Sequence, residues 1–265
     1  MSGPRPLMIG PMYAEVWGDG GKPPLLLMHG ICSSRAQWRP NVEALSEVAT
    51  PVVVELLGHG RSQSPDDPAE YAAQAYYARF DALRAELGAD TWSVCGQSFG
   101  AGLTIGYALT YPERVSRQVF TNSASALRAV TAPAPTAEAA AARVDAFIAR
   151  GRAGLETMAY FPKRNGRLAP AIEDELVGDA EAMSLPGMAR SMSYTAPGLS
   201  VEPRLEQITT PTLLVNGRRE KTFQPRRDEA ARRIPGLQIV DLEGGHPVNL
   251  DCAEGFNAAV AAFLA

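Results

Sequence analysis

An α/β architecture is predicted for this chain: a mostly parallel central sheet with helices on both faces, interrupted by one all-helical insertion. Three observations predict it. Short apolar runs alternate with longer amphipathic segments, which is the pattern of strand-helix-strand units around a parallel sheet. Most of the apolar runs end in glycine or another turn-forming residue. One long stretch, residues 125–203, contains no such run.

In chain order, Met12–Trp17 reads as an early strand closed by Gly18-Asp19-Gly20-Gly21. Leu25–Met28, Val52–Leu56, Trp92–Cys95, Val115–Phe120, Thr212–Val215 and Gln238–Leu242 read as buried strands, each a short, mostly apolar run followed by a turn or glycine. Ala69–Leu87 spaces Tyr76, Phe80, Leu83 and Leu87 at three- and four-residue intervals, one helical face, with Gly88 as a stop signal. Ala253–Leu264 does the same with Phe256, Val260, Phe263 and Leu264.

Residues 125–203 are expected to form the insertion, dividing a core domain into residues 1–124 and 204–265. Ala132-Pro133-Ala134-Pro135 makes a stiff approach and Ala196-Pro197-Gly198 an exit. Ala137–Arg152, Ile172–Met183 and Met188–Tyr194 read as its helices. Met158, Met183, Met188 and Met192 put half of the chain's eight methionines here, which suits either an adaptable apolar wall over a ligand or ordinary packing.

Composition narrows the partners. The 265 residues carry a net charge of -4, with 46% hydrophobic and 20% charged residues, which fits one globular unit and disfavours nucleic acid. Neither a charged-then-apolar leader nor a run long enough to cross a bilayer is present, so a cytoplasmic protein with no membrane partner is expected. Cys32, Cys95 and Cys252 are odd in number and lack metal-ligand spacing, so they read as buried thiols.

Chemistry concentrates in Gly96-Gln97-Ser98-Phe99-Gly100, which joins an apolar run to a small-residue helix start. A hydroxyl can stand at the tip of a sharp strand-to-helix turn only where the residues two before and two after it have almost no side chain. Ser98 is thus a candidate nucleophile. It needs a base, and histidine has the right intrinsic pKa. The chain has three: His29 and His59 lie early, among loop-shaping glycines, while His246 follows the last strand in Gly244-Gly245-His246-Pro247. His246 is the expected base. A carboxylate must steady its other nitrogen. Glu220, on the loop after Thr212–Val215, is the candidate, with Asp241, Glu243 and Asp228 as competitors. For an oxyanion, the N–H of Phe99 lies at a helix start, and a second N–H is expected from Ile31, or else Cys32, in His29-Gly30-Ile31-Cys32-Ser33-Ser34.

These segments, with Glu55-Leu56-Leu57-Gly58-His59-Gly60-Arg61-Ser62, resemble in residues and order the successive signatures of the α/β-hydrolase superfamily. The resemblance spans nearly the whole chain outside the insertion, which is similar to that family's cap after the sixth core strand. Glu220 stands where the family more often has aspartate. Glu55 and Leu57 replace its usual aspartate and proline in a structural segment. Ser98 disfavours the members that use an aspartate nucleophile.

The resemblance implies a serine hydrolase of carboxylesterase type, cleaving a small or medium ester through an acyl-enzyme with no metal or organic cofactor. Thioester, lactone or carbon-carbon bond hydrolysis and cofactor-free perhydrolysis are other uses of the scaffold. The basic stretch Arg218, Arg219, Lys221, Arg226, Arg227, Arg232 and Arg233 would suit either a phosphate-bearing thioester carrier or a solvated helix face. A receptor that keeps the pocket but does not turn over is the alternative outside enzymes. Substrate identity, pocket-lining residues and oligomeric state are not encoded legibly.

Overall fold

The computed structural model describes residues 3–163, 166 and 168–265. It opens with a strand that the apolar pattern does not reveal, β1 (Arg5–Ile9), whose side chains are mostly exposed at the sheet edge. β1 turns back through Gly10, at φ +57°, into β2 (Met12–Val16), pairing Ile9 with Met12. The remaining strands are the expected ones with small changes of boundary, β3 (Pro24–Met28), β4 (Thr50–Val54), β5 (Trp92–Gly96), β6 (Val115–Thr121), β7 (Thr212–Gly217) and β8 (Gln238–Leu242), except that β8, expected to be buried, is a partly exposed edge strand with a neighbour on one side only. They form one eight-stranded sheet in the order β1-β2-β4-β3-β5-β6-β7-β8. Only the β1–β2 and β2–β4 pairings are antiparallel.

Why the central strands read as continuous apolar runs is visible in β3. Leu26 and Met28 face one layer, with Tyr76, Phe80, Leu103 and Tyr107, while Leu25 and Leu27 face the other, with Trp38, Phe256 and Val260. The helices supplying these layers are α1 (Arg39–Leu45), α2 (Ala73–Glu86) and α3 (Phe99–Thr110), together with the C-terminal helix described below. The expected helix Ala69–Leu87 is split. Asp67 caps the N–H of Ala69 at 2.9 Å and starts a separate 3-10 turn, Pro68–Tyr71, and Ala72 is extended (ψ 143°) before α2 begins.

Between β6 and β7 the described residues contain helices and no strand: α4 (Ala137–Ala149), α5 (Gly151–Glu156), α6 (Pro170–Ala182) and α7 (Leu185–Arg190). The expected helix Ala137–Arg152 stops at Ala149, because Gly151 at φ +62° redirects the chain into α5. The expected Met188–Tyr194 helix is the end of α7 followed by a wide turn, Ser191–Thr195. After β7 come α8 (Gln224–Arg233), α9 (Val248–Asp251) and α10 (Ala253–Leu264), the last as expected.

A buried ion-pair knot ties α6 to the sheet. Arg35, on the short turn before α1, is 6% exposed; its Nη1 donates to Glu55 at 3.1 Å and to Asp179 at 2.9 Å, and its Nη2 lies 2.9 Å from Glu175. Arg39 joins Glu175 from α1 at 2.8 Å. Glu55 accepts two more bonds, from the N–H groups of Arg35 and Arg61. Glu55 thus serves structure.

Candidate active site

The parallel strands deliver their carboxyl ends to one edge, where α/β sheets bind ligands. At the end of β5 the chain turns through Ser98, at φ 52° and ψ -111°, a conformation that costs a non-glycine residue on the order of 1–3 kcal/mol. The glycines around it have no room for a side chain. A Cβ on Gly96 would lie 2.4 Å from Thr104 Oγ1 and 2.6 Å from the Ala101 backbone, and one on Gly100 would lie 2.4 Å and 2.6 Å from the carbonyl oxygens of Met28 and His29. Gly100→Ala is therefore expected to destabilise the fold by about 1–3 kcal/mol, read as a lower urea midpoint, since backbone and not a flexible side chain must move. An unchanged midpoint would refute the steric account of the turn.

Three distant side chains meet at this turn. Ser98 Oγ is 2.9 Å from His246 Nε2, and His246 Nδ1 is 3.0 Å and 2.9 Å from the two carboxylate oxygens of Glu220. With Nδ1–H donating to Glu220, Nε2 is free to accept the serine proton. Burial alone would raise the Glu220 carboxyl, but its bonds to His246 and then Asn122 outweigh that and hold it below the ordinary glutamate value. Glu220 is thus the ionised partner that an imidazolium would need.

Asn122, just past β6, is a site residue that sequence reasoning misses. Fully buried, it donates to Glu220 Oε2 at 2.8 Å and to the Gly217 carbonyl at 2.9 Å, and accepts from the Gly217 N–H at 2.9 Å. It fixes both the loop that carries Glu220 and the carboxylate itself. Gln97, beside Ser98, donates to the His246 carbonyl at 3.3 Å. Tyr160, from the turn after α5, stacks on the His246 ring with centroids 4.2 Å apart and planes 18° from parallel.

The competing carboxylates sit elsewhere. Asp241 is held by Asn216 and Arg227, Glu243 pairs with Arg218, and Asp228 with Arg227. Three of the seven basic residues are held in ion pairs, Arg218 and Arg227 as above and Arg233 with Glu202, Glu206 and Glu229, and none of the stretch lines the cavity at Ser98. Ile31 lines that cavity, and Phe99 opens α3 directly after Ser98. Neither N–H has an acceptor among the described residues. Cys32, with φ 60°, is buried with its Sγ 3.7 Å from Met158 Sδ. Among the described residues Cys32 and Cys95 are buried thiols, whereas Cys252 is only half-buried.

The cavity encloses about 370 Å³ in front of Ser98 and His246. From the helical segment it is lined by Tyr160, beside His246, and by Phe161, Leu168, Leu176 and Val177. None of the four methionines lines it; Met183 and Met188 are packed with Cys32 and Leu155, with Met158 and Met192 against them. The reading of an adaptable methionine wall gives way to ordinary packing.

His29 and His59 are buried together, with rings 5.4 Å apart. His29 accepts from the Leu56 N–H and bonds the Gly30 carbonyl; His59 bonds the Leu57 carbonyl. Burial first, and for His29 then the neighbouring His59, lowers them to about 3 and about 4. Both values lie below that of a free imidazole, about 6.5. As the pH falls from about 6.5 towards 4 the unfolded chain takes up protons that the folded one does not, so stability is lost across that window. His59→Asn is expected to flatten the fall of Tm between neutral pH and about pH 4.5, because the amide can keep the Leu57 bond without titrating. An equally steep fall in the variant would count against the assignment.

The chain is similar to known proteins over most of its length. Carboxylesterase YbfK of Bacillus subtilis is 26% identical over 251 residues, covering 93% of this chain and 82% of that protein. The putative 2-succinyl-6-hydroxy-2,4-cyclohexadiene-1-carboxylate synthase of the same organism is 25% identical, covering 93% of this chain and 92% of that protein. The crystal structure of a hydrolase from Pseudomonas aeruginosa superposes with a TM-score of 0.80 at 22% identity, covering 99% of this chain and 98% of that one. A family profile described as the alpha/beta hydrolase fold matches residues 23–177, more than half of the 265 residues. The chain belongs to the alpha/beta hydrolase fold family.

Proposed function

We propose that the protein is a serine hydrolase that cleaves a small or medium carboxylic ester through an acyl-enzyme. The observation that carries the proposal is the continuous bonded line from Ser98 Oγ through His246 to Glu220, with a cavity in front of it. His246 Nε2 takes the Ser98 proton as Oγ attacks the carbonyl carbon, and Glu220 stabilises the imidazolium. The N–H groups of Phe99 and Ile31 receive the oxyanion, aided by the positive end of the α3 dipole. The imidazolium then protonates the leaving alcohol. Water, deprotonated by the same imidazole, releases the acid and restores Ser98. These steps require no metal or organic cofactor.

Residues 125–203 act in this reading as a cap that sets acyl and alcohol size, since α6 and the turn before it wall the cavity. A volume of about 370 Å³ suits a small or medium substrate. Carboxylesterase YbfK, similar over most of its length, supports the ester class.

A fluorophosphonate probe, which phosphonylates an activated serine, is expected to label one site in the intact protein, and peptide mapping should find it on Ser98. The labelled protein should no longer hydrolyse p-nitrophenyl esters. Absence of labelling, or labelling elsewhere with esterase activity kept, would sink the proposal.

A further inference from the structure

The face of the base that Ser98 and Glu220 do not use is covered by Tyr160. The ring lies nearly parallel to the imidazole at 4.2 Å, so it meets the π face and not the nitrogens. It is 50% exposed, and its hydroxyl has no hydrogen-bond partner among the described residues, which leaves the ring as the part that acts. The turn that presents it is fixed: the Thr157 hydroxyl donates to the Gly154 carbonyl at 2.7 Å, the Phe161 N–H donates to the Met158 carbonyl at 3.0 Å, and Met158 rests on Cys32 beside the proposed oxyanion donor Ile31.

We propose that Tyr160 is a positioning residue of the reaction: its ring clamps the His246 imidazole in the plane that reaches both Ser98 and Glu220, and its π face favours the imidazolium that forms in the transition state. The inference rests on the hydrolase reading above. Its physics is that of an aromatic quadrupole: the face of the ring is electron-rich and attracts a cation far more than a neutral ring. While the imidazole is uncharged, stacking contributes little. Once the proton has moved the attraction grows, which is the differential binding that raises kcat. Burial, and secondarily the Glu220 carboxylate, raise the Tyr160 phenol, so the ring stays neutral where the base works. Among the described residues the other charged groups around the imidazole are Glu220 behind it, Lys163, Glu173 and Asp251 along the cavity, and Arg226, which acts on Glu220.

Two variants separate the ring from its bulk and its hydroxyl. Tyr160→Leu keeps an apolar cover over His246 but has no π face, and Tyr160→Phe keeps the face alone. Tyr160→Leu is expected to lower kcat roughly threefold to thirtyfold and to move the acid limb of the kcat/KM profile to lower pH, with KM little changed. Tyr160→Phe is expected to match the parent in both. A rise in KM alone in the leucine variant would make Tyr160 a wall for substrate and overturn the proposal. Equal loss in both variants, or an unmoved acid limb in the leucine variant, would also overturn it. Failure of the underlying reading has a different signature: Ser98→Ala would then keep full turnover, whatever position 160 holds.

Discussion

Ser98→Ala, His246→Ala and the double variant are expected to lower kcat on an activated p-nitrophenyl ester by nearly the same factor, about 10⁴ to 10⁶. The geometry makes the two residues one device. The hydroxyl is a poor nucleophile unless Nε2, 2.9 Å away, takes its proton, and the imidazole has nothing to deprotonate in the first step once the hydroxyl is gone. The second loss should therefore add little to the first. A residual rate above water is expected in all three variants, because the proposed backbone donors at Phe99 and Ile31 are untouched by side-chain changes. Steady-state kinetics with active-site titration, to exclude traces of parent enzyme, is the measurement. Multiplicative losses in the double variant would mean that serine and histidine act independently, contrary to the bonded line.

Glu220→Gln is the second large effect, expected to lower kcat about 10⁴-fold with the fold intact. Two donors converge on the carboxylate: His246 Nδ1–H reaches both oxygens and Asn122 Nδ2–H reaches Oε2. An amide offers one oxygen and one NH₂ in the same space. If the oxygen serves His246, the NH₂ faces the NH₂ of Asn122. If it serves Asn122, the NH₂ faces Nδ1, and the imidazole proton must sit on Nε2, which can then no longer accept from Ser98. Either arrangement also removes the negative charge opposite the imidazolium. The thermal midpoint should change far less than the rate, since Asn122 still holds the loop through Gly217. A rate near that of the parent would assign the orienting role to another group.

The residues whose chemistry depends on a local turn were legible. Ser98 needs two glycines at fixed offsets, and His246 was one of only three histidines and followed the last strand. Glu220 was reachable because a loop at the end of a parallel strand opens on the same edge as the other two. Asn122 left a faint signal, a polar side chain immediately after the apolar run of β6, but its partners lie 95 and 98 positions away. Tyr160 left none: no periodicity in the helical segment says that this turn folds back onto a histidine 86 positions downstream, a separation that follows from their numbers. β1 was missed for the opposite reason. An edge strand buries little, so no alternation marked it. The break at Ala72 depended on a cap from Asp67 winning over a face whose spacing favours one long helix.

The knot at Arg35 constrains how the roof over the cavity can be exchanged. Glu175 and Asp179 are one helical turn apart, so both point from α6 to the same buried guanidinium. A chimaera that takes residues 125–203 from a relative keeps these ties to the core only if it brings acidic side chains at these two places. Otherwise Arg35 keeps its buried partners Glu15 and Glu55, but the two charged ties that hold α6 to the sheet are lost. Exchange of this helical segment between members of the fold is thereby easiest from donors with the matching pair of acids, whatever substrate the donor accepts.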